Sequence, residues 1–140
     1  MNQQITQPTK ISTIKRSWYQ LDVKEKTLGR VATEIAHHLM GKRKPYFVRN
    51  LDCGDYVVVT NAKYIKVTGK KEEQKKYYRH SGYPGGFREE TLKELREKNP
   101  NKILTHAVSG MLPQNKLRDK MLKRLFVFSE SEHRFADKFK

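Results

Sequence analysis

Tyr56-Val57-Val58-Val59-Thr60 is the stretch whose reading decides the fold. Its β-branched side chains run without polar alternation, which fits a strand buried on both faces in a parallel or mixed sheet and not a surface hairpin. Such a strand needs helices against it. Leu28 to Met40 supplies the clearest one, because Leu28, Val31, Ala32, Ile35, Ala36 and Leu39 recur at helical spacing and form one apolar stripe. Thr27 stands where an N-cap belongs, and Gly41 where a left-handed turn would end the helix.

The remaining elements are read outward from these two. Trp18 to Val23 suggests a first strand, Tyr46 to Val48 a short weak one, and Tyr64 to Thr68 another closed by Gly69. Thr91-Leu92-Lys93-Glu94 fits a capping box, and Asn99-Pro100 reads as an N-cap followed by proline at the first helical position. Pro113 to Leu125 is expected as a third helix of this half, with Leu117, Met121, Leu122 and Leu125 inward. Phe126 to Phe128 closes the series as a last strand. This order argues for an α/β domain, a small sheet covered by helices on both faces. The organisation expected is a mobile N-terminal arm over 1–15, a single domain over 16–128 and a surface C-terminal tail over 129–140. His37 and His38, adjacent on the first helix and about 100° apart, are expected to face solvent or RNA.

Charge narrows the function. Among 140 residues, 30 are Lys or Arg against 15 Asp or Glu, a formal net charge of +15. An excess that large repels itself in the folded state and points to a polyanionic partner. A membrane is disfavoured, since no apolar run approaches the ~20 residues needed to span one. The single cysteine, Cys53, and the lack of a secretory h-region lead to the expectation of a reducing, cytoplasmic setting.

Tyr77-Tyr78-Arg79-His80-Ser81-Gly82-Tyr83-Pro84-Gly85-Gly86 has no aliphatic side chain to anchor it in a core, and is read as a loop. Tyrosines, Arg79 and His80 suit unstacked bases and phosphates, while Ser81 and the glycines Gly82, Gly85 and Gly86 allow a close backbone approach. A basic ramp containing Lys70, Lys71, Lys75 and Lys76 leads into it. Lys42, Arg43 and Lys44 exceed what the end of the first helix needs, and Lys116, Arg118, Lys120, Lys123 and Arg124 are offset by Asp119 alone. These cations and the loop form the candidate RNA-binding set.

Catalysis was weighed through Cys53 and His80 with Asp52 or Asp55. The flanking carboxylates should raise the thiol pKa and weaken it as a nucleophile. Metal-ligand spacings, phosphate loops and dinucleotide turns are absent from the sequence. No enzyme activity, cofactor, metal or small-molecule substrate is therefore expected.

Several motifs together resemble a known family, the universal large-subunit ribosomal protein numbered thirteen, in its bacterial form. They are Trp18-Tyr19, Leu28-Gly29-Arg30, Gly54 to Val59 with Asn61-Ala62, Thr68-Gly69-Lys70, Lys76 to Gly86, and Gly110-Met111-Leu112-Pro113 with Asn115-Lys116-Leu117. The resemblance implies a three-layer α/β/α domain with a four-stranded sheet that binds large-subunit ribosomal RNA early in assembly, without catalytic activity. It implies a cytoplasmic ribosome, with an organellar one as the alternative, neighbouring large-subunit ribosomal proteins as partners, and a monomer within the particle. A free RNA-binding regulator of translation or processing is the alternative. Two departures from the family pattern stand out: Arg118-Asp119 replaces an expected Gly-Arg, and the C-terminal pattern is reduced to His133-Arg134-Phe135-Ala136.

Overall fold

The computed structural model of the protein describes residues 8–139, so the first seven positions of the expected arm and Lys140 lie outside the described residues. In chain order the elements are β1 (Trp18–Asp22), α1 (Leu28–Met40), β2 (Tyr56–Thr60), α2 (Lys71–Gln74), β3 (Lys76–His80), β4 (Phe87–Thr91), α3 (Leu92–Lys98), α4 (Pro100–Met111), α5 (Arg118–Leu122) and β5 (Leu125–Val127). Short 3-10 turns occupy Ile11–Thr13, Ala62–Tyr64 and Ala136–Phe139.

The protein is an α/β domain. β2 lies at the centre of a parallel sheet ordered β1-β2-β5, with Trp18 opposite Tyr56 and Val58 opposite Phe126. Val57, Val58, Val59 and Thr60 are all buried, as an unalternated β-branched run requires. Side chains alternate across the sheet. Val57 and Val59 join the core formed with Val31, Ile35 and Leu39 of α1 and Ile103, Leu104 and Val108 of α4. Each fully buried valine or leucine there contributes roughly 1.5–3 kcal/mol. The opposite face carries Trp18, Tyr56 and Phe126, with the Trp18 ring stacked 4.4 Å from Tyr56 and 5.9 Å from Phe126. Phe135 covers this face at 5.2 Å from Trp18, and Phe139 adds an edge contact at 6.4 Å. The C-terminal segment thus lies on the surface as a cover for the sheet, so the second layer over it is a 3-10 turn and aromatic rings in place of an α-helix.

Four local expectations differ from what forms. Tyr64 to Thr68 contributes one parallel bridge, Lys66 to Thr27, and no strand, because Arg96 takes up the carbonyls of Lys63 and Ile65. The parallel sheet accordingly has three strands among the described residues. Tyr46 to Val48 is a turn whose amides close locally, Phe47 donating to the Lys44 carbonyl. Thr27 caps α1 by position only, without a side-chain bond. The helix expected over Pro113 to Leu125 shrinks to α5, since Asn115 folds the preceding chain into a turn, its Oδ1 accepting from the Leu117 amide. Leu125 then belongs to β5. Gly41 ends α1 at φ 79°, and Thr91 and Glu94 form the capping box of α3, both as expected.

Candidate nucleic-acid interface

The stretch read as a loop is mostly a hairpin. β3 and β4 pair antiparallel with Tyr77 opposite Glu90, Tyr78 opposite Glu89, Arg79 opposite Arg88 and His80 opposite Phe87. Tyr77 to His80 belongs to β3, and the remaining six residues, Ser81 to Gly86, form the turn as read. β3 reads Lys76-Tyr77-Tyr78-Arg79-His80 and β4 Phe87-Arg88-Glu89-Glu90-Thr91, with no aliphatic residue and no apolar–polar alternation, so the period-2 signal that usually reveals a strand is missing. Gly82 at φ 86° and Gly85 at φ 72° face open space. Gly86 does not, because a Cβ there would lie 2.0 Å from Ser81 Oγ, so its freedom serves the turn itself.

The hairpin divides its aromatics. Tyr77 packs onto the domain, its ring 5.3 Å edge-on from His106 and 5.4 Å from Lys75 Nζ, and burial pushes its hydroxyl pKa up against the opposing charge of Arg96. Tyr78, Tyr83 and Phe87 face outward at 65%, 75% and 57% exposure. Tyr78 and Phe87 stack on each other at 5.8 Å, giving a flat apolar platform in water. His80 Nδ1 accepts from the Gly82 amide at 2.9 Å, which leaves the far edge of its ring outward. Arg88 and Phe87 were missed by sequence reasoning. The signal that could have found them is the glycine turn itself, which brings the chain at Phe87-Arg88 back beside Arg79-His80.

Lys70, Lys71, Lys75 and Lys76 are exposed, and Lys76 pairs with Glu89 across the hairpin at 2.9 Å. Lys71 and Lys75 line a groove with Gly29 of α1 and Gly110 of α4. Lys42 lines another with Arg49, Pro113 and Asn115. Arg43 is exposed and reaches Glu34 at 3.6 Å. Lys116, Lys120 and Lys123 are exposed around α5, whereas Arg118 is half-buried and hydrogen-bonds Ser109 Oγ.

Two members of the candidate set are structural. Arg124 is 7% exposed; Nη1 and Nη2 donate to the two Asp52 oxygens at 2.5 Å each, and Nη2 and Nε to the carbonyls of Leu39 and Asp55. Lys44, its side chain 13% exposed, donates to Asp55 Oδ1 at 2.5 Å and to the carbonyls of Lys15 and Cys53. Both cations therefore hold the 52–55 turn against α1, β5 and the chain at Lys15, and neither is free for phosphate. Burial alone would raise the Asp52 carboxyl, but the Arg124 hydrogen bonds and charge, with Arg16, outweigh it and hold Asp52 below the usual carboxylate value. Asp55 also accepts from the Ser17 amide, and Asp52 is further held down by the Gly54 amide of its own turn. His38 likewise turns inward, its ring tilted against Tyr19 at 4.2 Å, and burial then Arg43 lower its pKa. Cys53 is fully buried in this region, while His80 sits in the outward hairpin, so no nucleophile pair forms between them.

A strongly basic α/β domain with exposed rings and guanidinium groups on a projecting hairpin has the make-up of a ribonucleoprotein component. Its curated relatives are of that class. The chain is 53% identical over 131 residues to the large ribosomal subunit protein uL13 of Dehalococcoides mccartyi, spanning 94% of this chain and 92% of the relative. It is 57% identical over 120 residues to that of Lawsonia intracellularis (86% and 83%), and 46% identical over 129 residues to that of Halorhodospira halophila (92% and 91%). The family model described as ribosomal protein L13 matches residues 16–134. The chain belongs to the ribosomal protein L13 family, in its bacterial form, and is a structural constituent of the large ribosomal subunit.

Proposed function

We propose that the protein binds large-subunit ribosomal RNA and supports early assembly of the subunit, as a monomer among neighbouring ribosomal proteins of the cytoplasmic ribosome. The hairpin carries this reading. Its Tyr78–Phe87 platform is exposed in water and offers stacking faces to unpaired bases, with Tyr83, Arg79 and His80 beside it. Lys42, Arg43, Lys70, Lys71, Lys75, Lys76, Lys116, Lys120 and Lys123 supply phosphate neutralisation, and Gly82 and Gly85 leave backbone open to a close approach.

Salt titration of binding to purified large-subunit ribosomal RNA tests the reading. With ~6 phosphates engaged, log affinity should fall against log salt with a slope of about −4 to −5. A nearly flat dependence would overturn it.

A further inference from the structure

Between the inner face of the hairpin and α4 lies an open cleft of about 520 Å³, within the ~300–1,000 Å³ usual for small-ligand sites. Arg79 and Arg88 face each other across the strands at its wall. Like charges directly opposite weaken a strand pair. Among the described residues neither arginine makes a side-chain hydrogen bond or an ion pair, and Glu90 feels the Arg79 charge only through space. Glu90, the carboxylate lining the cleft, is already paired with Lys98 at 2.9 Å. Lys102 adds a further cation. The N-terminal turn of the twelve-residue α4 borders the cleft with Asn99 unbonded as a cap and no acidic residue, so its positive dipole end is not neutralised. The floor is apolar, made by Leu95 and Leu122 beside Tyr77.

Facing guanidiniums over an apolar floor match a ligand with an anionic end and a flat apolar end. We propose that this cleft takes one unstacked RNA nucleotide, its phosphate held between Arg79 and Arg88 and its base set on the floor beside Tyr77; this rests on the RNA-binding reading above. The nucleotide removes the Arg79–Arg88 repulsion, so its binding stiffens the hairpin against α4. Inorganic phosphate would answer the arginines without using the floor, and a nucleoside would use the floor without the arginines.

Amide NMR of the full chain separates these. The protein is titrated in parallel with adenosine 5′-monophosphate, inorganic phosphate and adenosine. The expected result is saturable shifts at Arg79, Arg88, Lys102 and His106 with the nucleotide, which binds about tenfold more tightly than either fragment. The double variant Arg79→Ser/Arg88→Ser should weaken nucleotide binding by at least about tenfold, two charge-assisted contacts being lost. Phosphate binding as well as the nucleotide, shifts lying outside the cleft, or no saturation in the millimolar range each overturns the proposal. The wild-type map needs no variant, so misfolding of the double variant would not rescue it. Filter binding of large-subunit ribosomal RNA to the same preparation distinguishes the two levels: RNA retained with a silent cleft sinks the cleft alone, and RNA not retained sinks both.

Discussion

Arg124 and Arg79 are the same side chain put to opposite use. Arg124 is buried at the end of the parallel sheet, where Asp52 and two main-chain carbonyls satisfy four of its donor contacts. Arg79 stands in the hairpin opposite another arginine, on the face turned away from the exposed Phe87 ring. In the first region charge is matched and stabilises one geometry. In the second, Glu90 lies near but is paired with Lys98, and among the described residues no hydrogen bond or ion pair fixes Arg79, which keeps its donors open to an anion. The region around Arg124 is the more basic of the two in sequence, so the count of cations says little about which of them bind.

The contrast is broken most sharply at Arg124. Arg124→Met should leave the nearly buried Asp52 with Arg16 at 3.5 Å alone and cost about 3 kcal/mol in urea unfolding, while RNA affinity per folded molecule stays unchanged. Gly54→Ala comes next. A Cβ there would lie 1.7 Å from the Leu39 carbonyl oxygen, so the turn must move off α1, at a cost of about 1–3 kcal/mol by the same assay. On the hairpin side, Tyr78→Ala should weaken RNA binding by about 1–3 kcal/mol for the base it stacks, read by filter binding. Its effect on unfolding should stay within about 0.5 kcal/mol, because the ring is exposed.

The smallest effects are in pH. His38 has a folded-state pKa below its ordinary 6.5, from burial first and Arg43 second. Its contribution is therefore fully present above pH 6.5 and is lost as pH falls from there through the lower folded value. Asp52, also depressed, gives a second loss that begins only as pH falls below 3.8. Thermal melts across this range should show the first step vanish in His38→Phe, and the second persist.

The sheet and its helices were legible because burial writes itself into periodicity. Val57 to Val59 and the Leu28 to Leu39 stripe can be read without coordinates. Thr91 and Glu94 were legible for a different reason, since a capping box is closed within four residues. What escaped notice depends on contacts distant in the chain. Lys44 and Arg124 look like any other cations in their basic runs, and only the folded chain brings Asp55 and Asp52 to them. The hairpin escaped because its strands carry no aliphatic residue and no apolar–polar alternation. The cover over Trp18 escaped because Phe135 and Phe139 are too widely spaced to read as an element.

Ultraviolet crosslinking of the protein to RNA in purified large subunits, with the linked residues mapped, tests the division between the two regions most directly. Crosslinks should concentrate at Tyr78, Tyr83 and Phe87 with flanking lysines from Lys70 to Lys76, and none should fall on Lys44 or Arg124. Crosslinks centred on the 52–55 turn or on the Phe135 to Phe139 cover, with the hairpin free, would contradict the assignment.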